Sequence, residues 1–115
     1  MVISADSELD QVNTFVSRSP RFGLDLPIRF FSQDGLATGR CVDVSESGLL
    51  GAFDRPLGVW TSGELTASLG DESVSVKARV ARVDGRNAGL SFQTENENDR
   101  LAILKLIDFA LRNGE

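Results

Sequence analysis

The chain has 115 residues, one domain's worth, and its 41% hydrophobic and 25% charged residues argue against wholesale disorder. Its 12 Lys plus Arg against 17 Asp plus Glu give a net charge of −5, the opposite balance to a generic binder of duplex DNA or anionic membrane. Histidine is absent and cysteine occurs once, which excludes His-based triads, His-ligated metals, an intramolecular disulfide and a multi-Cys zinc site.

The first residues, Met-Val-Ile-Ser-Ala-Asp-Ser-Glu, lack the basic and apolar regions of a signal peptide, so a cytoplasmic protein is expected. No run approaches the roughly 18 apolar residues of a bilayer span, so no membrane insertion is expected either. Residues 4–16 carry a short stripe of Leu9, Val12 and Val16, with Phe15 beside it, after a capping-like Ser7-x-x-Asp10. Segment 1–16 therefore reads as an arm or a short helix, and 17–115 as the folded domain.

From residue 24 the period changes from helix to strand. Leu24, Leu26, Ile28 and Phe30 alternate with polar or edge residues, and Pro27 marks a strand start or an edge. Gln33-Asp34-Gly35 turns the chain into a second strand, Leu36 to Val44. Ser45 to Gly48 breaks it, and Leu49 to Phe53 forms a third. Glu64–Leu69, Val74–Val83 and Ala88–Gln93 complete six, with Asp84-Gly85 as a strong hairpin signal. The polar stretch Thr94–Asn98 offers Asn96 or Asn98 as the N-cap of a last helix, with Gly114 as its C-cap. In that helix Leu101, Leu104, Ile107, Ala110 and Leu111 read as the core stripe, widened by Ile103, Leu106 and Phe109. The remaining outer apolar surface fits a second copy or a partner as well as ordinary packing. This order predicts a six-stranded antiparallel β-barrel sealed by a C-terminal α-helix.

Two short patterns carry functional information. Asp43-Val44-Ser45-Glu46-Ser47-Gly48 has the form D-x-S-x-x-G at a strand break, and Arg18-Ser19-Pro20-Arg21 precedes the first strand. With the Leu-Pro-Ile strand and the late hairpin, this order resembles the PilZ domain family of cyclic di-GMP receptors over roughly residues 17–112. That family pairs R-x-x-x-R with [D/N]-x-S-x-x-G. Here the first arginine is one place late, giving R-x-x-R. In a strand, residues three apart point to opposite faces. In polyproline II, which Pro20 favours, they share one, so Arg18 and Arg21 can converge on one ligand.

The resemblance implies a PilZ-like split barrel with cyclic di-GMP bound at Arg18, Arg21, Asp43, Ser45 and Gly48. The residue types suit that ligand. Arginine forks onto phosphate oxygens or guanine O6 and N7, and stacks on bases. Asp43 can accept from guanine N1–H and N2–H₂, Ser45 can donate or accept, and Gly48 allows close backbone approach or a positive φ. The same Asp43, Ser45 and Gly48 also suit a plain Asx-type turn with glycine in the left-handed region. Trp60 reads as a half-buried barrel residue more than a stacking platform, Arg40 as an exposed strand residue, and Cys41 as a buried inert thiol.

No G-x-G-x-x-G, P-loop or G-x-S-x-G is present, so an enzyme is not expected, nor a metal or a cofactor. The expectation is a receptor that passes cyclic di-GMP occupancy to a separate effector protein, with no DNA or RNA as partner. The alternative is a PilZ-fold adaptor that binds no nucleotide and works only through protein contacts.

Overall fold

A computed structural model describes residues 20–113. The expected arm at 1–16, Arg18 and Gly114 all lie outside the described residues. Among the described residues there are seven strands: β1 (Phe22–Gly23), β2 (Pro27–Ser32), β3 (Gly35–Val44), β4 (Gly48–Phe53), β5 (Ser62–Leu69), β6 (Glu72–Asp84) and β7 (Asn87–Phe92). They are followed by α1 (Glu97–Asn113). Every pairing is antiparallel, in the order β3-β2-β5-β6-β7-β4, and β4 pairs back onto β3 to close a six-stranded barrel.

The strand expected from Leu24 forms its ladder only from Pro27, and a short strand not expected from the sequence, β1, lies before it, split from it by three residues. The ladder of β2 begins at Pro27, opposite Arg40, where a residue without an N–H costs no hydrogen bond. Upstream, Leu24 donates its N–H to Val42 O, and Cys41 donates to Leu26 O. β1 then continues along the same side of β3, with Phe22 opposite Val44 and Gly23 opposite Asp43. The inward period survives the split, because Leu24, Leu26, Ile28 and Phe30 are all buried.

Two β-bulges reset the inward phase. On β6, Val74, Val76, Ala78 and Val80 point inward, the register shifts between Val80 and Arg82, and Val83 takes the next inner place. On β3, Ala37 and Cys41 point inward, the shift falls between Cys41 and Asp43, and Val44 is the next fully buried residue. The β6–β7 hairpin turns at Gly85 and Arg86 between the paired Asp84 and Asn87. Gly85 has φ of 65° and Arg86 is not in the positive region, which matches the II′ class of two-residue loop.

Helix α1 is capped by Asn96, whose Oδ1 accepts the Asp99 N–H at 3.0 Å, while Asp99 Oδ2 accepts the Glu95 N–H at 2.9 Å. That places the capping residue at the first of the two expected positions. The helix packs against β6 and also reaches β1, β3 and β5. Its buried face joins the barrel interior in one core cluster. The face is Asp99, Ala102, Ile103, Leu106 and Ala110, with Ile107 and Phe109 half-buried. The expected stripe through Leu101, Leu104 and Leu111 is corrected here, because all three are exposed. The small Ala102 and Ala110 let the helix axis approach the strands closely, which leucine would prevent. No described helix is long and apolar enough to cross a membrane.

Candidate functional site

Arg21 immediately precedes β1, and β1 is hydrogen-bonded to the end of β3 that carries Asp43. Residues 22 apart in sequence are thereby brought together: Arg21 Nη2 lies 3.2 Å from Asp43 Oδ1. The contact has the distance of an ion pair but not the geometry of a hydrogen bond, and the buried Oδ1 has no hydrogen-bond partner among the described residues. A carboxylate oxygen in that state is short of a donor among the described residues.

The bulge on β3 sets where that carboxylate points. The inner phase running through Ala37, Gly39 and Cys41 would, unbroken, place Asp43 in the core and Val44 outside. The extra residue, Val42, reverses this. Val44 is fully buried, Val42 is exposed, and the Asp43 side chain keeps 25% of its surface.

Ser45 and Gly48 do different work. Ser45 is 1% exposed and its hydroxyl is engaged within its own turn. Its Oγ lies 3.2 Å from Ser47 Oγ and 3.4 Å from Gly48 O, and it accepts the Ser47 N–H at 3.3 Å. The Ser45 N–H closes the turn onto Gly48 O at 2.8 Å. Gly48 is not at positive φ, so the expected left-handed glycine is corrected. It is required instead by close packing: a Cβ there would sit 2.1 Å from the Leu90 carbonyl oxygen on β7. The structure therefore brings Arg21 and Asp43 together at the surface and places Ser45 and Gly48 behind them as the turn that ends β3.

An open groove of about 670 Å³ lies along the neighbouring residues of β1 and β3, and neither Arg21 nor Asp43 lines it. Gly23, Leu24, Val42 and Ala52 form its strand side, and Phe109 and Asn113 its helix side. Arg40 and Asp25, joined through Nε and Oδ1 at 2.6 Å, stand at its edge. Val42, Phe109 and this ion pair have no signature in the sequence, because the bulge and the helix end bring them together. Cys41 also lines the groove. Burial first, then the nearby Asp43 and Asp25, push its thiol from 9.0 up to about 12, so it is no nucleophile at neutral pH. Trp60 departs from expectation: it is 67% exposed, and its φ of 72° is the only positive value at a non-glycine among the described residues.

The family model of the PilZ domain matches residues 16–109 of the chain. Among solved structures, the chain is similar to the PilZ domain of CeSA from a cellulose-synthesizing bacterium, with a TM-score of 0.71 and 21% sequence identity. The alignment covers 83% of this chain and 100% of that one, and at this identity it supports the shared fold alone. No curated protein matches the chain.

Proposed function

The chain belongs to the PilZ domain family, whose members are binding and adaptor domains and generally receptors for cyclic di-GMP, and we propose that it is such a receptor and signals through a separate effector protein. The observation that carries this is the Arg21–Asp43 pair, a cation for phosphate or base beside a carboxylate oxygen that lacks a donor. In this reading Arg21 and Arg18 hold phosphate or stack on guanine, and Asp43 accepts from the guanine N1–H and N2–H₂ edge. Ser45 and Gly48 support them by fixing the turn behind Asp43. No cofactor, metal or catalytic step is part of the proposal.

Binding draws Arg21 from Asp43 onto the ligand, and this rearrangement beside β1 is what an effector detects. Titration calorimetry with cyclic di-GMP, with GMP as control, tests the proposal. Saturable heat with the dinucleotide and none with GMP supports it. No heat and no chemical-shift change at high ligand concentration leaves the protein-contact adaptor in its place. Two features favour that second reading: the R-x-x-R spacing, one residue shorter than the family's, and the Ser45 hydroxyl turned inward.

A further inference from the structure

The two β-bulges act on one cross-strand row. Asp43 on β3 pairs with Leu50 on β4, Leu50 with Gly89 on β7, and Gly89 with Arg82 on β6. Arg82 has the parity of the inward Val74, Val76, Ala78 and Val80, as Asp43 has that of the inward Ala37 and Cys41. Each bulge falls just before the charged residue and turns it to the outer face, while the next valine, Val83 or Val44, takes the inner place. The row thus carries a cation at one end and, at the other, the carboxylate whose Oδ1 lacks a hydrogen-bond partner among the described residues.

Gly89 shows how the cation lies. A Cβ there would sit 3.1 Å from both Cγ and Nε of Arg82, so the arginine stem has left β6 and crosses β7 in the direction of β4. Arg82 is exposed, and among the described residues it belongs to no ion pair. Two strand spacings, about 10 Å, separate the strand under this stem from the strand of Asp43, with the half-buried Leu50 as the floor between. We propose that Arg82 is a further ligand-binding residue, which reads the O6 and N7 edge of the same guanine whose N1–H and N2–H₂ edge Asp43 accepts. The inference rests on the receptor reading above and adds to it the residue that selects the second edge. One purine with a hydrogen bond of about 2.9 Å at each edge spans the interval, its face on Leu50. The carboxylate demands donors on one edge, and the guanidinium fork demands two acceptors on the other. Adenine fails both demands, because it has an acceptor at N1 and a donor at N6.

Titration calorimetry of the full chain with cyclic di-GMP and with its 7-deazaguanine analogue, which lacks N7, tests the proposal. Wild type should bind the analogue about fivefold or more weakly than cyclic di-GMP. Arg82→Ala should lose about ten- to a hundredfold in affinity for cyclic di-GMP and bind the two ligands alike. Its urea midpoint should stay unchanged, because the side chain is exposed. Arg82→Lys keeps the charge but not the fork, so it should keep the salt dependence of wild type and lose the discrimination. Gly89→Ala, whose Cβ displaces the stem, should reproduce the loss of discrimination. Wild-type binding that Arg82→Ala leaves within about twofold would overturn this inference and leave the receptor reading standing. A wild type indifferent to N7, or an Arg82→Ala chain that discriminates as wild type does, would overturn it in the same way. A wild type that gives no heat with cyclic di-GMP would refute the receptor reading itself, and this inference with it.

Discussion

Replacing Arg21 with alanine removes one member of an ion pair that the protein already makes, so its effect on ligand binding is a difference of two quantities. The Arg21 and Asp43 side chains are 45% and 25% exposed and lack hydrogen-bond geometry, so their pair stabilises by only about 0.2–1 kcal/mol. A charge-assisted hydrogen bond from Arg21 to the ligand is worth about 1.5–3 kcal/mol. Freeing Asp43 from its neighbour returns part of that, leaving a net loss of about 1–2.5 kcal/mol, or about five- to sixtyfold in affinity. Asp43→Ala frees Arg21 from the same pair and should likewise cost about five- to sixtyfold. The two differ in kind. Loss of Arg21 should flatten the salt dependence, while loss of Asp43 should erode the preference for the guanine over the adenine dinucleotide. Arg18→Ala should cost less than Arg21→Ala, because Arg21 stands where the family's second arginine does. Calorimetry on the three variants, at two salt concentrations and with both dinucleotides, measures all of this. Wild-type binding that Arg21→Ala leaves intact would refute the assignment of the site.

Gly48→Ala should destabilise the fold by about 1–3 kcal/mol in urea unfolding, since its Cβ would collide with the Leu90 carbonyl rather than with any ligand. Ser45→Ala should cost about 1 kcal/mol, because it removes the buried hydroxyl that accepts the Ser47 N–H, while the Ser45 N–H still bonds Gly48 O; an unchanged urea midpoint would show that the turn holds without it. Trp60→Gly should raise stability by about 0.5 kcal/mol, relieving the positive φ of an exposed side chain that packs little; a lower midpoint would reveal packing by the indole. Cys41 must stay protonated to remain in the core, so its contribution is complete below pH 9.0 and is lost as pH rises toward about 12. Urea midpoints of wild type and Cys41→Ala should therefore converge across that window, and parallel curves would contradict the assignment.

The barrel was legible in the sequence because period-two alternation and turn residues are local signals. Even the bulge on β6 is written there: Val74, Val76 and Val80 share one parity and Val83 takes the other. The helix face was misread for a physical reason. Ranking by hydrophobicity selects Leu101, Leu104 and Leu111 beside the correctly placed Ala110, whereas close docking selects Ala102 in their stead, and the Glu95 N–H satisfies the buried Asp99 carboxylate. The motif residues could be located in the sequence but not ranked. Arg21 and Asp43 meet only because β1 pairs with the end of β3, and Ser45 turns inward only because its turn supplies all of its partners. Trp60 lies in an exposed loop whose positive φ no residue type announces.

The turn behind Asp43 has an evolutionary consequence. Selection for folding alone would keep Ser45, which closes that turn, and Gly48, which no other residue can replace beside Leu90. A lineage that abandoned its ligand would therefore go on displaying two of the three defining residues of the D-x-S-x-x-G signature indefinitely. Drift would act first on Arg18, Arg21 and Asp43, whose upkeep costs the fold little. Loss of signalling in such proteins would be recorded in the arginines and the carboxylate, while the serine and the glycine would register only that the barrel still closes.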